Sequence, residues 1–417
     1  MAAIGLLVMV LAGCAGPPRI PLGGDPPGWA LDGAGSPELA TAGNRVSFLS
    51  QNAEMLATLF GEMEAARDHI NLEFYILENV SVRGRSFENL LIGKLREGVA
   101  VNVILDGYGS HRTDPAFLQR LRGAGARILV FHPASGAAIF RLDRLNARDH
   151  RKILVVDGRV GFVGGINLYP VYQNRAAPGA VRRRDFHHVL WNDVTARIEG
   201  PAVAALQRLF FATWTREKGA PPEEKDYFPK IGETGRERVR VVGSEPGRER
   251  EGYYAGLLEA VHAARRRVDL CTGSFVPTGQ MVEELAAAAR RGVAVRLILP
   301  SPLYHPEIEI AGSADYGTLL RAGVRIWEMP EEVLHAKLAT IDGVWTAVGS
   351  SNLDERSVLF NQEVDVIVWG ARSAFAARTI LEADIARSRE IALGEWRRRG
   401  LLERTSEFFS RFWRSLL

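Results

Sequence analysis

Two cysteines in 417 residues, Cys14 and Cys271, leave no disulfide framework to brace the fold. Cys271 follows Val268-Asp269-Leu270 and reads as a small buried hydrophobe. Charge of one sign is not in surplus. The 52 basic and 49 acidic side chains leave a net +3, so no overall basic field points to nucleic acid. The apolar stretch Ala2 to Leu11 is too short to cross a bilayer. No separate cluster with metal-ligand spacing is visible, and no metal or cofactor is called for. What remains is an ordinary globular composition, 47% hydrophobic and 24% charged, in a chain longer than a single core, so two domains are expected.

The chain repeats one pattern. His150-Arg151-Lys152 leads through an apolar run to Asp157, and Gly164-Gly165-Ile166-Asn167 follows. His335-Ala336-Lys337 leads in the same way to Asp342, followed by Gly349-Ser350-Ser351-Asn352 at identical spacing. Each copy reads as a β-hairpin, because Asp-Gly between two apolar runs is a strong short-range turn signal. A two-residue turn would set His150 opposite Gly165 and His335 opposite Ser350. His and Lys, two apart on a strand, point to one face.

An imidazole, an ammonium, an amide and small residues at one edge suit a phosphodiester. Its transition state spreads charge over the phosphoryl oxygens, and fixed donors aimed at them stabilise it with little reorganisation. Two imidazoles, one on each side of phosphorus, divide into nucleophile and general acid. Lys152, Lys337, Asn167, Asn352 and Ser350 are expected to hold the phosphoryl oxygens, with Gly165 leaving room for close backbone approach. Asp157 and Asp342 complete the motif but sit in the turns. They read as structural, bonding their own backbone and holding a nearby basic residue.

This duplicated signature resembles the phospholipase D superfamily, and its two-copy form resembles bacterial cardiolipin synthases. The likeness extends over nearly all the chain after about residue 45. It includes Ser274-Phe275-Val276-Pro277, Asn352-Leu353-Asp354-Glu355-Arg356-Ser357, Asn361-Gln362-Glu363, Trp191-Asn192-Asp193 and Arg197-Ile198-Glu199-Gly200. It implies an α/β fold of two tandem α-β-α sandwich domains related by a pseudo-two-fold, with the active site at their interface. It also implies that Asp193 and Glu363 each hydrogen-bond the catalytic histidine of their own half, as the Asp of a serine-protease triad does. By the family's assignment His150 is the nucleophile and His335 the acid and base.

Strand–helix–strand rhythm supports this layout and recurs in both halves. Leu95 to Leu105 matches Arg290 to Leu299, Gly125 to Ile128 matches Gly323 to Ile326, and Asp193 to Gly200 matches Glu363 to Gly370 in spacing. The expected order is a lipoprotein-type signal at 1–14, a Pro/Gly-rich tether at 15–44, a first domain at 45–216 and a linker at 217–235. A second domain at 236–400 and an amphipathic helix at 401–417 complete it. Leu11-Ala12-Gly13-Cys14 resembles a bacterial lipobox. That likeness implies lipidation of Cys14 and a body held at a membrane on its periplasmic or outer side. Basic loops at 140–148 and 169–184 suit anionic headgroups or are simply solvated. The aromatic face of 401–417 suits either a bilayer interface or the protein body.

The leading expectation is a phosphatidyltransferase that makes cardiolipin from phosphatidylglycerol through a phosphohistidine. The expected partners are an anionic phospholipid and a membrane surface, without nucleic acid, and a monomer suffices for one site. The alternatives are a hydrolase releasing phosphatidic acid on the same scaffold, a nuclease, and a membrane-tethered binding protein with a decayed site.

Overall fold

A computed structural model describes residues 17–22, 40–133, 146–173, 189–248, 252–301 and 306–400. The first half contributes strands β1 (Thr41–Leu49), β2 (His69–Phe74), β3 (Ala100–Asp106), β4 (Arg127–Phe131), β5 (Lys152–Val156), β6 (Val160–Gly164) and β7 (Thr195–Glu199). The second contributes β8 (Glu237–Ser244), β9 (Arg267–Cys271), β10 (Ala294–Pro300), β11 (Arg325–Met329), β12 (Leu338–Ile341), β13 (Trp345–Gly349) and β14 (Asn361–Trp369). They join one continuous sheet in the order β11-β10-β9-β12-β13-β14-β8-β1-β7-β6-β5-β2-β3-β4. Read outward from the central β8–β1 pair, the two sides are the same series. This is the pseudo-two-fold that the repeats imply.

Local chemistry explains the elements. Helix Phe87–Arg96 starts where the Ser86 hydroxyl accepts from Asn89 N, and helix Gly279–Arg290 starts where Thr278 accepts from Met281 N. These are N-caps that satisfy otherwise orphaned donors. Each helix gives way to a strand through a glycine at positive φ, Gly98 and Gly292, a conformation that a Cβ would strain. Strands β2, β3, β9 and β10 are buried on both faces, so polar residues within them such as Asn71, Glu73, Asn102, Asp269 and Arg296 are buried along with their apolar neighbours.

Burial falls into an outer core for each half, a shared central one, and a small cluster of Ile104, Leu129, Phe131, Phe210 and Trp214 in the first half. Helices Asn52–Ala65 and Phe87–Arg96 cover β2 and β3 in one outer core, and helices Tyr253–Ala263 and Gly279–Arg290 cover β9 and β10 in the other. The central core draws Ile153, Val155 and Val163 from the first hairpin, Leu338 and Val348 from the second and Val366 from β14, with Leu206 and Leu381 from two further helices. The two motifs are therefore built back onto one apolar mass.

Two readings are corrected here. The stretch 15–44 is not all tether. Ile20 is buried, its N–H donates to Gln280 Oε1 at 2.9 Å, Gln280 Nε2 donates back to its carbonyl at 2.7 Å, and β1 begins at Thr41. A reciprocal amide bond and one buried isoleucine pin a segment whose composition alone reads as loose. The hairpin turns hold three residues, not two, since Val156 pairs with Val160 and Ile341 with Trp345. The extra residue moves the register by one, so His150 and His335 do not face Gly165 and Ser350. Cys14, the arginines at 182–184 and the 401–417 segment lie outside the described residues.

Candidate active site

Each histidine is delivered by a short extended segment that joins the other half. Arg148–Asp149 runs parallel to Asn361–Gln362, and Trp191–Asn192 runs parallel to Val333–Leu334. As a result His150 N donates to Gln362 O at 2.9 Å, and His335 N donates to Asn192 O at 2.8 Å. The residue after each acceptor is the acid, so register alone places each acid beside the opposite half's ring. His150 Nδ1 lies 2.9 Å from Glu363 Oε2, and His335 Nδ1 lies 2.7 Å from Asp193 Oδ2. The same-half pairing is thus overturned, because the strands that carry histidine and acid cross between halves. With Nδ1–H held by carboxylate, Nε2 is the nitrogen left for chemistry.

The two motifs share one site. Lys337 acts electrostatically on His150, Lys152 acts on His335, and both Glu363 and Asp193 act on Lys152. Burial first, with the facing lysines added, pushes both imidazoles down to about 4. Burial likewise lowers Lys152 to about 7 and lowers Lys337. Each ammonium is fixed by the carbonyl of its own motif histidine, Lys152 Nζ donating to His150 O at 2.6 Å and Lys337 Nζ to His335 O. Lys152 also lies 5.3 Å from the centre of the Tyr75 ring, which meets His150 edge-on at 5.1 Å. Buried bases whose charged forms are held back by burial and by one another are ones that an entering anion would favour in the protonated state.

Several expected roles change. Ser350 Oγ donates to Glu363 Oε2 at 2.5 Å and accepts from Val364 N at 3.0 Å, so its hydroxyl holds the acid rather than phosphate. Gly165 N donates to Val194 O at 3.2 Å, and a β-carbon there would collide with the Asp193 carboxylate. That glycine makes room for the acid. Asn167 Oδ1 accepts from Ile76 N at 3.1 Å and its side chain also hydrogen-bonds Tyr172, while the Asn352 Oδ1 atom is buried without a hydrogen bond. Asp157 accepts from the backbone N–H groups of Arg67, Asp68 and His69, and Asp342 from those of Arg265, Arg266 and Arg267. Neither bonds its own backbone. They staple the hairpin turn to the start of the next strand, about 16 Å of strand away from the lysine. These two motif acids are structural and lie outside the reacting centre.

Sequence reasoning also missed residues. Arg151 is fully buried. It donates to Thr213 Oγ1 at 2.7 Å and to the Glu363 carbonyl at 3.1 Å, and lies 3.6 Å from Glu73 Oε1. Burial, then Glu73, pushes Asp149 well above the usual carboxylate range, and burial raises Glu73 against the pull of Arg151. Glu363 takes further donors from Ser357 Oγ at 3.0 Å and Asn361 Nδ2 at 3.1 Å. Asp193 takes the Tyr172 hydroxyl at 3.1 Å and Val194 N at 2.8 Å. Arg148, in a loop expected either to meet headgroups or to be solvated, is buried and 3.6 Å from Asp106. Among the described residues no group of three or more His, Cys, Asp or Glu is arranged to hold a metal.

Comparison with known proteins bears on this geometry. Residues 257–385 match the family described as "Cardiolipin synthase, PLD-like domain". The chain is 33% identical over 359 residues to cardiolipin synthase A of Pseudomonas syringae pv. syringae (strain B728a), covering 85% of this chain and 71% of that one. It is 29% identical over 373 residues to the major cardiolipin synthase ClsA of Bacillus subtilis (strain 168), covering 89% and 75%. The crystal structure of phosphatidylserine synthase from Haemophilus influenzae Rd KW20 superposes with a TM-score of 0.60 at 12% identity, over 89% of this chain and 94% of that one, which speaks to the fold. The duplicated motif, the shared site and these relatives together make the chain a member of the cardiolipin synthase family within the phospholipase D superfamily, an enzyme of the phosphatidyltransferase type.

Proposed function

We propose that this phosphatidyltransferase joins two molecules of phosphatidylglycerol into cardiolipin and glycerol through a phosphatidyl-histidine on His150. The observation that carries the proposal is the crossed pair of His–carboxylate contacts, 2.9 and 2.7 Å, with two buried lysines that both acids act on.

Neutral His150 Nε2 attacks phosphorus and forms the P–N bond. The P–O bond to the glycerol headgroup breaks, and His335 gives its Nε2 proton to the leaving oxygen. His335, now neutral, takes the proton of a hydroxyl on the second lipid. That oxygen attacks phosphorus, the P–N bond breaks, and His150 is restored. Lys152, Lys337 and the amide groups of Asn167 and Asn352 neutralise charge on the phosphoryl oxygens. An anion entering between the imidazoles opposes the lysines that hold them low, and so favours the protonated His335 that the first step needs.

The acids support this division of labour. Glu363 is shared among His150, Ser350, Ser357 and Asn361, whereas Asp193 has His335, Tyr172 and one backbone N–H. We assign the histidine held by the more widely shared carboxylate as the nucleophile. Its counterpart carries the proton.

Among the described residues no helix is long and apolar enough to cross a membrane. We place the working position at a membrane surface, through lipidation of Cys14, because the substrate resides there. Replacing Cys14 with Ser should then release the protein from the membrane fraction.

Vesicles of labelled phosphatidylglycerol, quenched and analysed by mass spectrometry, test the reaction. Cardiolipin with equimolar glycerol is expected, and phosphatidic acid alone would favour the hydrolase. With a labelled phosphatidyl ester of nitrophenol, whose departure needs no proton, label should be trapped on the His335→Ala protein and be absent from His150→Ala. Trapping that survives His150→Ala would overturn the assignment.

A further inference from the structure

We infer that Tyr172 is a positioning residue for His335, one of a duplicated pair of hydroxyls that hold the two orienting carboxylates from behind. The inference rests on the reading of His335 as the proton carrier. Tyr172 lies five residues after Asn167, and Ser357 lies five residues after Asn352. The local elements differ. Tyr172 sits in the single 3-10 turn Pro170–Gln173, and Ser357 in the short helix Glu355–Leu359, where Asp354 accepts from its backbone N–H at 2.8 Å. Yet both hydroxyls end on the acid, Tyr172 at 3.1 Å from Asp193 Oδ2 and Ser357 at 3.0 Å from Glu363 Oε1. Two different turns converging on one contact argue for selection of the contact rather than of the turn.

Tyr172 reaches further than its counterpart. Its oxygen is also 3.2 Å from His335 Nδ1, so phenol, imidazole and carboxylate form a closed triangle. The phenol has one proton and gives it to Asp193, because Nδ1–H already donates to the same carboxylate. The groups facing His335 are Asp193, Tyr172, its own Lys337, and Lys152 from the other motif, with the Trp191 ring 5.4 Å away. Burial, then Asp193, pushes the Tyr172 ionisation well above its ordinary value, so the phenol stays a donor at every working pH. Each hydrogen bond given to Asp193 draws off anionic charge and weakens its hold on the imidazolium proton. Tyr172 thereby keeps His335 able to release the proton in the first step and accept one in the second.

The test is Tyr172→Phe, which removes one oxygen and keeps the ring. Asp193 becomes the stronger partner, so the kcat limb belonging to His335 should move to higher pH by about half a unit to one unit, the size of one ordinary hydrogen bond. KM for phosphatidylglycerol vesicles should stay within about twofold, as expected for a group that does not touch substrate. The 15N shifts of His335, titrated alongside, should move with the limb, and Ser357→Ala should move those of His150 instead. Should the Phe variant not fold, 3-fluorotyrosine at 172, a stronger donor, should displace the limb the other way. A Tyr172→Phe profile superimposing on that of the unaltered enzyme would overturn the inference, as would a higher KM with an unmoved profile. Full transfer by His335→Ala would instead remove the reading on which it rests.

Discussion

The same strand positions carry opposite chemistry in the two halves. Behind His150 lie Glu73, Asp149 and Arg151, all buried, whereas the matching positions behind His335 are Cys271, Leu334 and Ala336, members of the shared apolar core. Farther along the same strands the assignment reverses. There the second half buries an ion pair, Arg296 Nε to Asp269 Oδ1 at 2.6 Å, and the first half an amide pair, Asn102 Nδ2 to Asn71 Oδ1 at 2.8 Å. The hairpin scaffold therefore accepts charge, amide or hydrocarbon at one place, provided the polar groups find partners. What charge adds behind His150 is a tie between halves, since Arg151 also bonds the Glu363 carbonyl and reaches Glu245 at 3.3 Å.

The largest effects should separate the two histidines. Either His→Ala variant should lose at least about 10³-fold in transfer. A phosphodiester with a nitrophenol leaving group needs no proton on departure, so it should recover release in His335→Ala and none in His150→Ala. Equal rescue of both would erase the distinction.

Next comes the core behind each histidine. Arg151→Met strands Glu73 and should cost about 3–5 kcal/mol in urea denaturation. Cys271→Ala at the matching apolar position should cost about 1 kcal/mol. A small loss in the Arg151 variant would show that the buried charges are not what holds the halves.

Asp157→Asn and Asp342→Asn should each lower stability by about 1–3 kcal/mol through weakened backbone contacts, with kcat of the folded enzyme preserved. A specific loss of kcat would return these acids to the chemistry.

The finest effect is a pH slope. Both imidazoles are held near 4 in the folded chain, against about 6.5 when unfolded. Below about 6.5 the unfolded state binds more protons, so their contribution is present above that pH and is lost as pH falls towards about 4. The double His→Ala variant should flatten this part of the stability curve, and an unchanged slope would show that other groups cause it.

Much of this was legible because it is local. Alternation, Asp-Gly turns and caps mark the strands and helices, and the repeat of spacing marks the halves. The register slipped by one because Asp157 and Asp342 both adopt φ 51° and the ladder resumes a residue later, a detail of turn conformation rather than of composition. Arg151 occupies a variable motif position, and nothing in the pattern distinguishes it from Ala336. Tyr172 and Ser357 share a spacing that a comparison of the two tails would have exposed.

By itself the order of residues determined the duplicated hairpin, the four basic groups of the site and the phosphodiester chemistry they suit, since each depends on neighbours within a dozen positions. Only the tertiary structure decided which acid serves which histidine, that Ser350 and Gly165 serve the acids, and that the motif aspartates are staples. Those assignments depend on segments more than 140 residues apart lying side by side, as His150 lies beside Glu363 and His335 beside Asp193. Spacing within a half is the same whether the strands pair within it or cross to the other.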